Sequence, residues 1–269
     1  MTGPPQHSLA RRSNDPVMTP KIIRPHIFEE YAGLVAAVST RLGGVSPSPL
    51  GLNMSYSVGD KESNVTRNRE LFLGMLGFMN DQLATTKQVH GDTIAYVNTG
   101  GRYEGFDALV TEVPGILVSV SVADCVPILL FDPEHKVVAA VHAGWRGTAR
   151  RIAVKAIASM VIRFGCDPPD ILAFLGPSAS ACCYEVGEDV AVRFQPKYSR
   201  RTAGEGPHLD LKACNRDLLI ESGVRHEHIE VSPDCTICGA RLYHSYRRDG
   251  ATSGRMLGVI GMRDPDTPR

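Results

Sequence analysis

A cysteine and a histidine, Cys125 and His142, lie near the two ends of the stretch ADCVPILLFDPEHKVVAAVHAGWRG. Residues 132–135 separate two apolar runs, which predicts two antiparallel strands joined by a four-residue loop. If Phe131 lies opposite Lys136, Cys125 lies opposite His142, and the two side chains share one face of the sheet. This conclusion depends on the register, because a shift of one residue would place them on opposite faces. One ion could then bind both, since zinc binds a cysteine sulfur at about 2.3 Å and a histidine nitrogen at about 2.0–2.1 Å.

A third ligand is needed to make this pair a catalytic metal site. His90, in the segment KQVHGD, is the candidate, because the adjacent Gly91 lets the backbone approach a crowded site. Two other interpretations use the same residues. Cys125 as nucleophile and His142 as base would form a cysteine hydrolase, and a single cysteine or histidine is often only a core residue.

Asp124 directly precedes the candidate ligand Cys125. In a regular strand its side chain points away from that of Cys125, so it should not bind the same ion. Two roles remain open for this carboxylate. It either orients a ligand histidine, as carboxylates around metal sites often do, or it is an ordinary hydrogen-bonded residue at the rim.

The elements that must position these residues are visible as hydrophobic patterns. Apolar residues at helical spacing predict helices at 64–78, 148–164 and 210–222, and short runs rich in Val, Ile and Leu predict strands at 116–122, 126–131, 137–141 and 171–175. No GxGxxG or P-loop sequence is present. We therefore expect an α+β (mixed α/β) fold in which helices flank a mixed β-sheet core.

Composition excludes several classes of protein. The 29 basic residues equal the 29 acidic ones in number, which argues against nucleic-acid binding. Seven cysteines at irregular spacing favour free thiols or metal ligands, and hence a reducing, cytoplasmic location. Residues 1–20 are polar, which predicts a disordered tail without a signal peptide. No apolar stretch is long enough for a membrane span. We expect residues 21–269 to form one catalytic domain.

Seven motifs, in this order, resemble the laccase-domain family once labelled multicopper polyphenol oxidases and now treated as purine nucleoside phosphorylases. They are STRLGG at 39–44, QVHG at 88–91, DALVT at 107–111, ADC at 123–125, HAGWRG at 142–147, CYEV at 183–186 and SYRRD at 245–249. The resemblance implies a YfiH-like fold related to cysteine hydrolases, and zinc ligands at His90, Cys125 and His142. It also implies phosphorolysis of adenosine, inosine and methylthioadenosine, and deamination of adenosine.

Phosphorolysis also requires a site for the phosphate anion. The turn before a helix at Thr148 would suit it, because a helix start offers free N–H groups, and Arg146 could add charge-assisted bonds. Further candidates for binding substrate or phosphate are Arg41, Lys87, Arg247 and Arg248, although Arg247 and Arg248 are equally compatible with a solvated surface. Asp107 and Glu185 are candidates for protonating the leaving purine.

Three competing interpretations are weaker. His228, Glu230, Cys235 and Cys238 resemble a zinc deaminase signature, but the spacing is wrong and no second cysteine pair is evident, so we expect ordinary thiols in a turn. A true multicopper oxidase needs about ten copper-binding histidines in HxH pairs. The chain has nine histidines in all, so copper is less favoured than zinc. A nucleoside-binding module without turnover would leave an open metal position unexplained.

Overall fold

The computed structural model describes residues 19–201 and 204–264. Most of the expected tail at 1–20 lies outside the described residues. The strands are β1 (Ile22–Ile23), β2 (Leu34–Ser39), β3 (Leu83–Lys87), β4 (Ile94–Tyr96), β5 (Gly101–Glu104), β6 (Ala108–Thr111), β7 (Leu117–Val122), β8 (Val126–Asp132), β9 (Val137–Ala143), β10 (Leu172–Leu175), β11 (Ser199–Arg200), β12 (His208–Leu209), β13 (Ile229–Val231) and β14 (Met256–Met262). The helices are α1 (Glu62–Leu76), α2 (Trp145–Ala149), α3 (Ile152–Phe164), α4 (Glu188–Ala191), α5 (Leu211–Glu221) and α6 (Tyr246–Asp249).

Two mixed six-stranded sheets form the centre of the molecule. The first has the order β1-β2-β14-β7-β3-β5, and the second has the order β13-β10-β8-β9-β6-β4. Each sheet contains both parallel and antiparallel pairs of strands. For example, β3 and β7 of the first sheet are parallel, and β8 and β9 of the second sheet are antiparallel. The predicted mixed α/β class is therefore confirmed.

The sheets pack face to face between two helical layers. Alternation along β9 shows how the sequence achieves this: Val138 and Ala140 contact the first sheet, whereas Val137, Ala139 and Val141 contact the layer of α3 and α5. On the outer face of the first sheet, α1 covers a third apolar cluster. Both sheets are covered on each face, which explains why the central strands are apolar throughout.

The helix predicted at 148–164 is two helices in the structure. Helix α2 begins three residues earlier, at Trp145, and Arg151 adopts a left-handed conformation (φ 62°) before α3 begins. The predicted stripe holds, because Ile157 and Met160 are buried in the core and Gly165 ends α3 with φ 74°. The other two predicted helices correspond to α1 and α5, and Asp210 caps α5.

The register predicted for the β8–β9 hairpin is wrong by two residues. Phe131 pairs with Val138 instead of Lys136, and His142 pairs with Pro127. The reason lies in the loop: Asp132 closes it by pairing with Val137, and its carboxylate accepts hydrogen bonds from the next N–H groups along the chain. An even shift preserves the face of every side chain, so the conclusion drawn from the wrong register survives.

Within the residues that the structure describes, none of the helices has the length and apolar character that crossing a membrane requires.

Candidate active site

His90, Cys125 and His142 come together at one end of the layer between the sheets. Their ligand atoms all lie within 4.8 Å of one another. The two imidazole rings are nearly perpendicular, with centroids 4.9 Å apart. A nitrogen–nitrogen–sulfur set of this size could therefore bind a metal ion.

Two of the three side chains lie where the chain passes from one sheet to the other. His90 follows β3 of the first sheet and precedes β4 of the second, and Cys125 lies between β7 and β8 in the same way. His142 is on β9, with its side chain on the face directed at the first sheet. The site is therefore built from strand ends rather than from a long loop.

Asp107, just before β6, organises the three-residue cluster. Its Oδ1 lies 2.8 Å from His142 Nδ1 and accepts the N–H of His90 at 3.0 Å, while Oδ2 accepts the N–H groups of Val89 and Gly91. The carboxylate is fully buried. It thus fixes the ring of one candidate ligand and the backbone of another, which holds the left-handed conformation of His90 (φ 56°) in place.

Gly144 allows the backbone after β9 to pass directly over the cluster. A Cβ atom at this position would lie 3.0 Å from Cys125 Sγ and 3.4 Å from the His90 ring. Glycine is therefore required at position 144 because a larger residue would not fit. The backbone angle does not require it, since φ is −75°.

The charges of Cys125 and His142 depend on each other. Burial raises the pKa of Cys125, but His142 and His90 outweigh this effect and lower it to about 6. Burial lowers the pKa of His142, whereas Cys125 and Asp107 raise it to about 9. At neutral pH these shifts favour a thiolate beside an imidazolium. A metal ion bound through the same atoms would need a neutral His142, and it would therefore displace this proton.

Asp124 does not orient either histidine. Its Oδ1 accepts the hydroxyl proton of Thr236 at 2.7 Å, and its Oδ2 accepts the backbone N–H of Arg247 at 2.7 Å. The first of the two roles left open for Asp124 therefore belongs to Asp107. Asp124 instead fixes the start of α6 beside the site, from a left-handed conformation with φ 90°.

The two arginines of the SYRRD motif have different environments. Arg247 donates from its guanidinium to the Glu185 carbonyl at 2.9 Å and lies over the Tyr184 ring, 5.2 Å from its centroid. Arg248 donates to the carbonyls of Thr236, Ile237 and Tyr243, so its guanidinium is held by protein groups.

The other predicted anion-binding residues lie in three different settings. Arg41 donates to the carbonyls of Pro49 and Ala240. Lys87 pairs with Glu104 at 3.7 Å on the surface. Arg146 is exposed and stacks on Trp145, with 4.3 Å between its guanidinium carbon and the ring centroid. Because α2 begins at Trp145 and spans five residues, the helix start expected at Thr148 does not exist.

Two residues near the site were not identified from the sequence alone as binding residues. Tyr184 is buried, and Cys125 and Asp124 help to raise its pKa to about 12, after the larger effect of burial. Arg255 interacts electrostatically with Asp124 and Cys125, and burial lowers its pKa. The CYEV motif includes Tyr184 and therefore pointed to it indirectly.

Cys235 and Cys238 are not isolated thiols in a turn, contrary to expectation. The structure brings them together with the adjacent pair Cys182 and Cys183, and the four sulfur atoms lie within 4.8 Å of one another. The second cysteine pair that the spacing rule requires is therefore present, but it comes from a distant part of the chain. His228 and Glu230 do not belong to this group, which excludes the zinc deaminase arrangement.

Comparison with known proteins agrees with this architecture. Residues 35–263 match the family model described as multi-copper polyphenol oxidoreductase laccase. The solved structure of YlmD from Geobacillus stearothermophilus superposes with a TM-score of 0.84 at 37% identity, covering 88% of this chain and 94% of that one. The Bacillus licheniformis hypothetical protein YfiH superposes with a TM-score of 0.83 at 33% identity, covering 87% and 95%. The chain belongs to this laccase-domain family, as its motifs indicated.

Several relatives of the chain are named as enzymes that act on nucleosides. A purine nucleoside phosphorylase of Deinococcus radiodurans is 40% identical over 253 residues, which cover 90% of this chain and 91% of the relative. Adenosine deaminase RL5, from an unknown prokaryotic organism, is 37% identical over 240 residues, covering 82% of this chain and 92% of the relative.

Proposed function

We propose that this protein is a zinc-dependent purine nucleoside phosphorylase that also deaminates adenosine. The observation that carries the proposal is the cluster of His90, Cys125 and His142, which Asp107 holds in place. Relatives of the chain include a protein named as a purine nucleoside phosphorylase and one named as an adenosine deaminase. The reaction joins phosphate to the ribose of adenosine, inosine or methylthioadenosine and releases the free base. Seven free thiols suit a reducing compartment, so we place the enzyme in the cytoplasm.

Zinc fits the donor atoms of this cluster better than the harder divalent metals. Thiolate and imidazole are typical zinc ligands, and three protein ligands are typical of catalytic rather than structural zinc. Copper binds similar donors, but the cluster supplies one site and not the several that a multicopper oxidase requires. Zinc held there would supply a Lewis acid to a substrate oxygen or nitrogen.

Arg247 is the best candidate among the described residues for binding phosphate. It is exposed, its backbone is fixed by Asp124, and its guanidinium lies over the Tyr184 ring near Cys125. Arg255 adds a second positive charge close to Cys125. Together they make an anion subsite beside the cluster, whereas the guanidinium of Arg248 is already occupied by backbone carbonyls.

Glu185 is a better candidate than Asp107 for contacting the leaving purine. The Asp107 carboxylate is buried, accepts four hydrogen bonds and has a lowered pKa, although burial alone would raise it. Such a carboxylate remains ionised and positions His142. The Glu185 side chain is exposed, and its backbone carbonyl holds Arg247. It is therefore accessible to a substrate bound at the proposed anion subsite.

One observation supports a second candidate function. Cys125, His142 and Asp107 also have the arrangement of a nucleophile, a base and an orienting carboxylate, with the pKa of Cys125 lowered to about 6. A cysteine amide hydrolase would use these three groups without metal. In that mechanism His90 would only help to lower the pKa of Cys125, so the two functions differ chiefly in their need for zinc.

The test is incubation of the zinc-loaded protein with adenosine, with and without phosphate, followed by chromatography of the products. We expect adenine only with phosphate, and inosine in both reactions. Cys125→Ala should abolish both products, and Cys214→Ala, which changes a buried cysteine outside the site, should abolish neither. If wild type forms neither product, the nucleoside proposal is rejected. Activity on amide substrates that survives a chelator but not alkylation would then support the hydrolase.

A further inference from the structure

A second group of metal-binding side chains lies apart from the candidate active site. We call it the four-thiol cluster, and it consists of Cys182, Cys183, Cys235 and Cys238. Cys238 Sγ is 3.0 Å from Cys183 Sγ and 3.4 Å from Cys182 Sγ. All four are free cysteines. Because one sulfur atom contacts two others at once, the geometry is convergent rather than pairwise, unlike that of a disulfide.

The turn between Cys235 and Cys238 has the form of a metal-binding loop. Two residues separate the cysteines, which is the shortest spacing common among structural zinc ligands. The backbone N–H groups of Ile237, Cys238 and Ser180 donate to the Cys235 sulfur. These N–H groups stabilise a thiolate on Cys235, whose sulfur lies within 4.8 Å of the other three.

Lys212 provides a positive charge beside this cluster. Its ammonium group is buried and donates to the carbonyls of Ser232 at 2.8 Å and Asp234 at 2.9 Å. It interacts electrostatically with Cys235 and Cys182. Four thiolates around a divalent ion carry an excess of two negative charges, so a buried lysine is the counter-charge that such a site needs.

The cluster also connects the two segments that border the active site. Thr236, within the turn, donates its hydroxyl to Asp124, and its carbonyl accepts from Arg248. On the other segment, Tyr184 and Glu185 directly follow Cys183 and contact Arg247. Whatever fixes the cysteines therefore also fixes the contacts of Asp124 and Arg247.

We propose that the four-thiol cluster is a second metal site, which binds zinc through four thiolates and locks the two segments beside the active site. A closed set of four sulfur ligands leaves no position for substrate, so its role is structural. The remaining group of potential ligands, Asp132, His135 and Cys166, carries no such proposal, because the Asp132 carboxylate already accepts the hydrogen bonds of the hairpin loop.

Metal analysis of the full chain, purified under reducing conditions, tests this site independently of any enzyme activity. We expect two zinc ions per chain. The Cys125→Ala variant should retain one ion, and its zinc X-ray absorption spectrum should show four sulfur neighbours at about 2.3 Å. The Cys238→Ser variant should also retain one ion, but with nitrogen and sulfur neighbours. Cys214→Ala is the matched control and should retain two.

Two results would overturn the proposal. One is a single zinc ion in wild type that Cys125→Ala removes completely. The other is peptide mapping that finds two of the four thiols joined as a disulfide in reductant-purified protein. If Cys238→Ser does not fold, the absorption spectrum of Cys125→Ala still decides, because it reports the sulfur ligands directly. Failure of the phosphorylase assay would leave this result unchanged, so the two proposals can fail separately.

Discussion

The two clusters that we propose as metal sites differ in what holds their ligands. At the active site, His90 and Cys125 lie at crossings between sheets, His142 is in a central strand, and a buried carboxylate fixes the histidines. In the four-thiol cluster the ligands come from two loops, and backbone N–H groups donate to the sulfur of Cys235.

The fold itself positions the ligands of the active site, whereas we expect metal binding at the four-thiol cluster to help to stabilise the fold. Ligands on strand ends are already positioned by the packing of the sheets, so metal binding there adds chemistry at little cost in ordering. Ligands on loops gain their order largely from the ion, so binding contributes directly to stability. Loss of each metal should therefore have a different signature.

The largest expected effect on activity follows from His90→Ala. The variant should lose the active-site zinc and at least about 10³-fold in phosphorolysis, equivalent to several kcal/mol of lost electrostatic stabilisation. With metal removed from both proteins, its unfolding midpoint should match that of wild type, because the His90 side chain is exposed and the active-site zinc no longer contributes to stability. Kinetics with metal analysis and thermal unfolding would measure both. Full activity in a variant that binds one zinc ion fewer would contradict the proposed role of the metal.

The opposite signature is expected for Cys238→Ser in the four-thiol cluster. Loss of a structural zinc should cost about 3 kcal/mol, which lowers the unfolding midpoint by roughly 6–12 °C for a chain of this size. Activity at low temperature should stay within about tenfold of wild type, with the change mainly in KM through Arg247. An unchanged midpoint, with Cys214→Ala as the reference, would show that the cluster does not stabilise the fold.

A third variant, Asp107→Asn, tests whether the carboxylate preorganises the active site. An amide retains the shape but loses the negative charge beside His142. Zinc affinity of the active site should fall about 10–100-fold, as is usual for residues that orient a ligand. The zinc of the four-thiol cluster should be unaffected, because Asp107 contacts only the first site. Competition with a chromophoric chelator would resolve the two affinities.

How much the sequence could predict also differs between the regions. The strands around the active site follow from runs of β-branched residues, and the face shared by Cys125 and His142 depends only on the parity of the register. The error of two residues in the predicted hairpin register therefore did not change the predicted face of either side chain. The break between α2 and α3 was not predictable, because Arg151 has no intrinsic preference for the left-handed conformation that it adopts.

The four-thiol cluster and the role of Asp107 were missed for a common physical reason. Cys183 and Cys238 are 55 residues apart, and Asp107 and His142 are 35 apart. Contacts at such separations are set by how loops cross between the sheets, and spacing along the chain does not encode them. Asp124 was favoured because it adjoins Cys125, but its left-handed conformation turns it towards Thr236.

The smallest expected effect concerns His244, which belongs to neither cluster. Its ring is buried, both nitrogens lack a hydrogen-bond partner among the described residues, and burial, with Arg41 and Arg255, lowers its pKa to about 3. The unfolded state, with a pKa near 6.5, binds a proton that the folded state does not. Stability is therefore fully present above pH 6.5 and falls as the pH drops towards 3, by up to about 1.4 kcal/mol per unit.

Replacing this ring with an apolar one should remove that dependence. His244→Phe should have nearly the wild-type stability at pH 8, and it should gain about 2 kcal/mol over wild type at pH 5. Denaturant unfolding of both proteins at the two pH values measures the difference, in which the titration of all other groups cancels. A constant difference between pH 8 and pH 5 would show that His244 is protonated in the fold.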